Sequence, residues 1–427
     1  MNSRIIKVDQ LARVEGEGAL FVKIVEGKVA NVKLRIFEPP RFFEAFLRGR
    51  RYEEAPDITA RICGICPVAY QVSAVNAMED ALGITVDPQI DRLRRLIYCG
   101  EWIESHVLHI YMLHAPDFLG FEDALQLAKE KPELVTRALK MKKIGNEIVK
   151  VLGGREIHPI NMKVGGFYRI PSKNELRAML DGLKWARDGA VETAKIAASL
   201  EFPDFEREYD YVALSHPDEY AIHRGRIASS AGLDIGIKEY EFYFDERHVA
   251  HSNALHGYEK GRGAYCVGPV ARYSLNAAKL SPLAREVARD VKLEAPVRNP
   301  FKSIVVRSIE TVYAFDEAIR IIEEFEPPSP PPLDIHPVTG IGFGASEAPR
   351  GLLYHRYRIG DDGLIKDARI VPPTAQNQPT IEEDLRQFVG KYIDLPREQL
   401  TWKCEQAVRN YDPCISCATH VVTLTID

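Results

Sequence analysis

Two cysteine pairs near opposite ends of the chain constrain its fold more than any other feature. Cys63 and Cys66 form one pair in RICGIC, and Cys414 and Cys417 form the other in DPCISC. Two thiols at i and i+3 near a helix start point the same way, and the helix N-terminus favours their thiolate form. Two such pairs are typical of a four-thiolate metal site. If they share one site, both ends of the 427-residue chain must meet.

The cysteine spacing leaves three interpretations open: a catalytic metal site, a structural zinc site, or cysteines with unrelated roles. Zinc ribbons place their pairs within about 20 residues of each other, whereas these pairs lie about 350 residues apart. A buried site assembled from both ends of a large core fits a catalytic metal better than a local folding staple. Because thiolates select zinc, copper(I), iron or nickel, the spacing does not name the metal. The other cysteines are interpreted as small buried hydrophobes: Cys99, Cys266 and Cys404.

Composition excludes several classes of function. A net charge of −5 offers no electrostatic footprint for nucleic acid or an anionic membrane. No stretch approaches the roughly 18 uncharged apolar residues of a membrane helix, and residues 1–18 lack the apolar core of a signal peptide. Seven cysteines, sparse and odd in number, are unlike a secreted disulfide framework. We expect a cytoplasmic protein with no membrane or nucleic-acid partner.

Hydrophobic periodicity predicts a mostly helical protein with small β elements. Residues 19–37 alternate apolar and polar residues around a Gly-Lys turn and predict a β-hairpin, and the proline-rich residues 326–337 predict an extended loop. Strands are predicted at 354–360, 365–371 and, in the tail, 421–427; helices are predicted at 41–50, from Pro56 through the first cysteine pair, and at 89–114, 121–130, 132–153, 173–200, 274–292, 303–325, 381–392 and 397–410. The expected fold class is α+β, with a helical core bundle and peripheral β elements in one domain over residues 1–427.

The residues around the cysteines resemble a known family. RICGIC, residues 61–66, and DPCISCATH, residues 412–420, resemble the two signature motifs of the large, catalytic subunit of nickel–iron hydrogenases. Further family blocks are matched in the same order by residues 13–16, 41–49, 109–117, 154–161 with Gly165 and Gly166, 347–351 and 371–374. One motif would be weak, but this many in one order are specific. The resemblance implies the fold of a hydrogenase large subunit and reversible cleavage of H2 to protons and electrons.

The resemblance implies a nickel–iron centre held by the two cysteine pairs. All four thiolates would bind nickel, and Cys66 and Cys417 would also bridge to an iron that carries CO and cyanide ligands. Thiolates of low pKa can take the proton when H2 splits heterolytically. Similarity to the family favours Cys414 over Cys63 as that first proton acceptor.

The resemblance also assigns residues around the centre. Arg350, after Pro349, would sit above the metals and polarise H2. Asp117 and Asp412 would hold its guanidinium by bidentate contacts, for which the planar fork is suited. Glu15 would be the first outward proton relay, because a carboxylate near a thiol can pass protons through hydrogen bonds.

Two more roles follow from the resemblance. Thr374 would hydrogen-bond a cyanide ligand, because Pro373 stands where many family members have Ser or Thr. Glu44 and His420 would bind a separate divalent cation, magnesium or iron, for which oxygen and imidazole ligands are suited.

Each assigned residue has a plainer interpretation without the family. Glu15 would be a surface ion-pair partner of Arg13, and Arg350 would be a surface arginine at a Pro-Gly turn. Asp117 would cap a turn after a proline, and Asp412 would be a helix N-cap. Two histidines on the long helix are interpreted as core residues: His109 and His114.

The chain lacks the parts that would carry electrons away from H2. Beyond the two pairs it has no cysteine cluster for an iron–sulfur centre and no glycine-rich dinucleotide fingerprint. An obligate iron–sulfur small subunit is therefore expected, followed by flavin/NADP and ferredoxin-like subunits. CPVAYQ (66–71) and PPTAQNQ (372–378) match the soluble cytoplasmic branch of the family, which couples H2 to NADP(H) and can reduce sulfur, as in sulfhydrogenases.

Other interpretations remain at this point. The precursor in this family is cut after the last His of the second motif by a maturation endopeptidase, which here would remove residues 421–427; the alternative is a permanent edge strand. The rival functions are a membrane-bound energy-converting hydrogenase, a relative of the quinone-site subunit of respiratory complex I, and a structural zinc protein or assembly scaffold with a four-cysteine site.

Overall fold

The computed structural model of the protein describes residues 3–328 and 337–419. It opens with an antiparallel sheet of β1 (Ser3–Val8), β2 (Gly18–Val25) and β3 (Lys28–Ile36), in that order. The predicted hairpin over 19–37 is confirmed. Its apolar residues at alternate positions, such as Leu20 and Val22, are fully buried, as expected for a strand with one face on the core.

Helices form most of the remaining chain. They are α1 (Phe43–Leu47), α2 (Ala55–Ala60), α3 (Pro67–Leu82), α4 (Pro88–Leu108), α5 (Ala115–Leu119), α6 (Ala124–Glu130), α7 (Pro132–Gly153), α8 (Lys173–Arg177), α9 (Leu180–Ala198), α10 (Tyr240–Tyr243), α11 (Pro269–Asn276), α12 (Pro282–Asp290), α13 (Ser303–Glu323), α14 (Pro373–Lys391), α15 (Arg397–Arg409) and α16 (Ile415–Ala418). The predicted α+β class with a helical core is confirmed.

Small sheets lie around the helices. Their strands are β4 (Met162–Lys163), β5 (Gly166–Phe167), β6 (Val212–Ser215), β7 (Arg226–Ser229), β8 (Asp234–Ile235), β9 (Phe244–Val249), β10 (Ser252–Glu259), β11 (Gly340–Ala348), β12 (Gly351–Ile359) and β13 (Ile365–Val371). They pair antiparallel as β4–β5, β6–β7–β8, β9–β10 and β11–β12–β13. The strands predicted at 354–360 and 365–371 are confirmed, whereas β4 to β11 were not predicted.

The core is a bundle in which α4 packs on α7 and α13 packs on α4 and α9. Close approach of α4 and α7 depends on two glycines. A Cβ at Gly145 would lie 2.8 Å from Ile103 Cγ2, and one at Gly100 would lie 3.0 Å from the Gly145 carbonyl oxygen. Helix α13 is buried along nearly its whole length, and its buried side chains include the charged residues Arg307 and Glu310.

Several predicted helices differ from those observed. The helix over 173–200 is divided into α8 and α9, and the helix over 274–292 is replaced by α11 and α12. The helix at 381–392 is longer at its start, because α14 begins at Pro373 and contains Pro379. The long helix over 89–114 ends as α4 at Leu108 and continues as one π-helical segment over His109–His114.

The segment around Glu15 and the segment that carries the second cysteine pair are in contact. Cys414 pairs as an isolated parallel bridge with Glu15, and the Ile415 N–H donates to the Glu15 carbonyl oxygen at 3.0 Å. The predictions for the loop over 326–337 and the tail at 421–427 fall largely or wholly outside the described residues. Within the described ranges, no helix is long and apolar enough to cross a membrane.

Candidate metal centre

The two predicted cysteine pairs form one buried cluster of four thiols. The Cys63 and Cys414 sulfurs lie 3.6 Å apart, and the Cys66 and Cys417 sulfurs lie 3.7 Å apart. Cys414 and Cys417 are closer, with 2.7 Å between their sulfurs. All four cysteines are buried and are thiols rather than halves of disulfides, and their sulfurs all lie within 4.8 Å of one another.

This arrangement fits a thiophilic metal. A metal–sulfur bond of about 2.3 Å places neighbouring sulfurs of a tetrahedral site about 3.8 Å apart, close to the two separations between the pairs. Four buried thiols without a disulfide are the donor set that selects zinc, iron or nickel. The geometry therefore supports a four-thiolate metal site, the first step of the interpretation from sequence.

The first pair is held at the start of α3. Cys66 is the N-cap residue, and Pro67 fills the first helical position, where a missing N–H costs nothing. The Cys63 sulfur accepts from the N–H groups of Ile65 at 3.3 Å and Cys66 at 3.2 Å. Burial opposes ionisation of Cys63, but hydrogen bonds from the other thiols and the charge of Arg350 hold its pKa well below the usual range. Cys63 is thus the thiol most readily ionised.

The second pair lies between the start of α14, which carries Thr374, and the segment around Glu15. The Cys414 N–H donates to the Thr374 hydroxyl at 3.0 Å, so Thr374 lies beside the second pair. Burial, and then the neighbouring thiols Cys417 and Cys63, raise the pKa of Cys414. The pKa of Cys66 is shifted in the same direction, so ionisation of the cluster begins at Cys63.

Glu15 contacts the thiol of Cys414. The Cys414 sulfur donates to Glu15 Oε2 at 3.1 Å, and the Ser416 N–H donates to the same oxygen at 3.0 Å. The carboxylate is only half-buried, so it joins the closed thiol cluster to the surface. The next residue must be glycine, because Gly16 has φ +85° and a Cβ there would lie 2.6 Å from Glu38 Oε2.

Arg350 is buried beside the thiols and is held by one carboxylate. Its Nε donates to the Asp412 carbonyl oxygen at 2.7 Å, and its Nη2 donates to Asp412 Oδ1 at 3.1 Å. Its Nη1 has no hydrogen-bond partner among residues 3–328 and 337–419. Although burial disfavours the charge, Asp412 and the thiolates hold the pKa of Arg350 well above its usual value. The guanidinium is therefore a fixed cation with one free N–H edge.

Two glycines allow the backbone at Arg350 to approach the start of α11. Gly351 has φ +134°, and a Cβ there would lie 2.7 Å from the Gly268 nitrogen. Gly268 has φ +108°, and a Cβ there would lie 2.8 Å from the Arg350 carbonyl oxygen. Arg272 supports the same turn, since it donates to the carbonyl oxygens of Ala348 at 2.6 Å and Pro349 at 3.2 Å. The backbone of Pro349 is thus held in place by the buried guanidinium of Arg272.

The interpretation that Asp117 holds Arg350 is wrong. Both Asp117 oxygens accept from Arg409, at 2.7 Å each, and Oδ1 also accepts from Arg13 at 2.6 Å. Asp117 lies in the first turn of α5, the short helix after the π-helical segment, and that position directs it towards α15 rather than towards the thiols. Its role in the structure is to join the N-terminal segment, α5 and α15.

We expect Asp117→Asn to destabilise the protein and leave the metal centre intact. The change leaves two buried or nearly buried guanidinium groups without their anion, which costs about 3–5 kcal/mol. The thermal midpoint should fall by several degrees while nickel content per chain is unchanged. Asp188→Asn is the control, because its carboxylate is 76% exposed and lies 3.7 Å from Arg187. Loss of nickel without loss of stability would restore a role for Asp117 at the centre.

Glu44, one of the two predicted ligands of a second cation, lies in a separate cavity of about 310 Å³ that Glu246, His248 and Asp367 also line. It accepts from the Ile370 N–H at 2.6 Å, and burial raises its pKa to about 7. The same cavity is also lined by Arg48, Arg356 and Arg369, so a cation bound there would compete with three guanidinium groups for the carboxylates. His420 lies outside the described residues, so the pair stays a prediction.

Sequence reasoning missed a buried network that supports the site. Glu101 accepts from the N–H groups of Val68 at 2.6 Å and Ala69 at 3.1 Å, so it caps the helix that carries Cys66. Arg272 donates to Glu310 at 2.8 and 2.9 Å. A glutamate within the apolar helix pattern of 89–114 was the available signal for Glu101. Among the predicted core residues, His109 and His114 are buried as expected.

Comparison with known proteins agrees with this site. The family described as nickel-dependent hydrogenase matches residues 41–137 and 258–420. The chain is 36% identical to the alpha subunit of sulfhydrogenase 1 of Pyrococcus furiosus over 98% of each chain. It is 36% identical to the alpha subunit of sulfhydrogenase 2 of the same organism over 98% of this chain and 100% of the relative.

Structural similarity extends over the whole fold. A crystal structure of an NAD+-reducing NiFe hydrogenase in the H2-reduced state aligns with a TM-score of 0.86 at 28% identity, covering 98% of this chain and 99% of that one. The helical core and the four-thiol centre define a hydrogenase large subunit. The chain belongs to the nickel-dependent hydrogenase family, and it is the catalytic large subunit of a nickel–iron hydrogenase.

Proposed function

We propose that the chain cleaves H2 heterolytically and reversibly, and that the electrons leave through an iron–sulfur small subunit to NADP(H). The observation that carries the heterolytic mechanism is the 3.1 Å contact between the Cys414 sulfur and Glu15 Oε2. A proton acceptor, its relay and a buried cation, Arg350, surround one metal-binding cluster. A purely structural metal clasp needs none of these three groups.

The cofactor in this proposal is a nickel–iron centre. Nickel would be held by all four cysteines, and Cys66 and Cys417 would also bind an iron that carries CO and cyanide. When bound, such a centre acts as a Lewis acid towards H2 and accepts its electron pair. The four sulfurs within 4.8 Å of one another support this assignment.

The chain's own residues handle the proton. Arg350 directs its free Nη1 edge from a fixed position and adds positive charge in a water-excluded site, where charge acts most strongly. The Cys414 sulfur takes the proton and passes it to Glu15 through their hydrogen bond. Thr374 accepts from the Cys414 N–H and keeps its own O–H available to donate to a cyanide ligand.

The electron carrier and partners are proposed from the relatives' names. Two relatives are named sulfhydrogenase subunits, and another, 28% identical, is a subunit of an NAD-reducing hydrogenase of Cupriavidus necator. These names support a nicotinamide electron carrier and sulfur reduction as a further activity. The choice of NADP(H) and a cytoplasmic location are inferred from the match of residues 66–71 and 372–378 to the soluble branch of the family. We also infer flavin/NADP and ferredoxin-like partner subunits. Two further proposals concern the end of the chain: Glu44 and His420 bind a second cation, and a maturation endopeptidase cuts after His420.

The natively expressed, purified complex should contain nickel and show infrared bands of metal-bound CO and cyanide. Nickel with those bands would support a nickel–iron centre at the four cysteines. Zinc without the bands would refute it and favour the alternative of a structural four-cysteine zinc site. An intact mass of the same preparation tests the processing step, which is ruled out if active enzyme retains residues 421–427.

A further inference from the structure

A second group of potential metal ligands lies outside the thiol centre. His251 is in the turn between β9 and β10, His256 is in β10, and Glu382 is in α14. One ligand atom from each of these residues lies within 4.8 Å of the other two. We call these three residues the His-Glu cluster. None of them belongs to the hydrogenase motifs or to the proton path.

The carboxylate of the cluster is already oriented. Glu382 Oε1 lies 2.7 Å from His251 Nε2 and accepts from the Leu34 N–H at 2.8 Å. Metal–ligand bonds of about 2.0–2.1 Å place neighbouring ligands of a tetrahedral zinc about 3.4 Å apart. The His251–Glu382 contact therefore has to open by less than about 1 Å to admit an ion. His251 is half-buried in a turn, so that movement is local.

His256 is buried without an evident structural role for one of its nitrogens. The residue is 1% exposed, and its Nε2 has no hydrogen-bond partner in the described part of the chain. Its ring centroid lies 5.5 Å from that of His251, with the ring planes nearly perpendicular at 87°. An unpaired buried imidazole nitrogen is unfavourable unless something binds it.

The hairpin is irregular where it forms the cluster. His251 and His256 are five positions apart, and an odd separation places side chains on opposite faces of a regular strand. The β9–β10 register shifts between Ser252 and His256, and this irregularity lets both rings approach Glu382. Bulges commonly re-aim side chains in this way.

We propose that His251, His256 and Glu382 bind one divalent transition-metal ion, for which zinc is the best match. Two imidazoles and one carboxylate are a common ligand set for zinc, and water can fill a fourth position because His251 and Glu382 are only half-buried. The proposal stands apart from the nickel–iron centre and does not depend on it.

The ion would fasten the β9–β10 hairpin to α14. Ala254, between the two histidines, packs in one apolar cluster with Ala375 and with Ile415 and Ala418 of α16. Helix α14 also carries Thr374, which holds the Cys414 N–H. The His-Glu cluster therefore joins two elements, β10 and α14, that both pack against α16 beside the second cysteine pair, and its metal would stabilise their contact.

The test uses the nickel-loaded complex, equilibrated with zinc ions and desalted. The zinc content of wild type should exceed that of His256→Gln and that of Glu382→Gln by one ion per chain. The control is His216→Gln, which replaces a histidine outside the cluster and should retain as much zinc as wild type. X-ray absorption at the zinc edge should show nitrogen and oxygen ligands at about 2.0–2.1 Å from zinc, and no sulfur ligand at about 2.3 Å. A chelator should lower the thermal midpoint of wild type but not that of Glu382→Gln.

Equal zinc in wild type and both cluster variants would overturn the proposal, as would a sulfur-dominated zinc environment. If the buried His256 variant fails to fold, the half-buried His251→Gln and Glu382→Gln variants decide the question by the same zinc count. Since no readout uses H2 turnover, failure here is distinguishable from failure of the hydrogenase mechanism.

Discussion

Replacing Arg350 by lysine will leave the metals bound and abolish most H2 turnover. The guanidinium uses Nε and Nη2 on Asp412, at 2.7 and 3.1 Å, and still has Nη1 free beside the thiols. A lysine ammonium is a compact charge at the end of a flexible chain, so it cannot hold Asp412 and occupy the same position above the centre. Loss of one preorganised charged donor costs about 10²-fold or more in turnover.

The Arg350 experiment compares H2 uptake per bound nickel, with the infrared bands as a check of the centre. The matched control is Arg358→Lys, an exposed position in β12, the strand that follows Arg350, which should behave as wild type. Full turnover in Arg350→Lys would show that positive charge alone suffices. Loss of nickel or of the bands would instead make Arg350 a residue needed for assembly of the centre.

The thiol cluster was predictable because the residue type and the i, i+3 spacing of the cysteines indicate a shared metal site. Four cysteines in two i, i+3 pairs have few possible uses in a large helical core, and their convergence requires only that the chain ends meet. The positions of Glu15, Arg350 and Thr374 came from the resemblance, and the contacts agree with it. Residue periodicity alone would have predicted only a helical protein with some β structure.

The pairing of buried charges was not predictable from the chain. Arg13 lies in the N-terminal block, Arg350 in the block over 347–351 and Arg409 just before the second motif, and Asp117 is distant from each in sequence. Which guanidinium it meets depends on the direction of the π-helical segment after α4, and a helical hydrophobic pattern does not reveal that change of direction. The prediction therefore named a suitable partner type and the wrong residue.

Strand β11 shows a second limit of sequence patterns. Its glycines at alternate positions, Gly340, Gly342 and Gly344, allow it to lie directly on α3, since a Cβ at Gly342 would overlap the Ala77 carbonyl oxygen. Strand propensity is low for glycine. The residues that permit this contact are therefore the ones that prevent β11 from being predicted by strand propensity. The sheet carries Arg350 between β11 and β12, and its position follows from that packing.

Glu15→Gln should stop proton exit without disturbing the centre. Glutamine preserves the size of the side chain and can still accept the Ser416 N–H, but it cannot take the proton from the Cys414 sulfur 3.1 Å away. A positioned acid–base group contributes about 10²–10⁴-fold, so H2 turnover should fall by about 10²-fold or more. Exchange between D2 and solvent protons should fall with it, while nickel content and the infrared bands stay as in wild type.

Glu17→Gln is the matched control for the relay, since it removes an exposed carboxylate two positions further along the same segment. It should retain wild-type exchange and turnover. If Glu15→Gln also retained both, protons would leave the thiols by another group, and the contact with Cys414 would only position the second pair. A loss confined to the Glu15 variant, with the metals in place, separates proton transfer from assembly because only the former needs a titratable group.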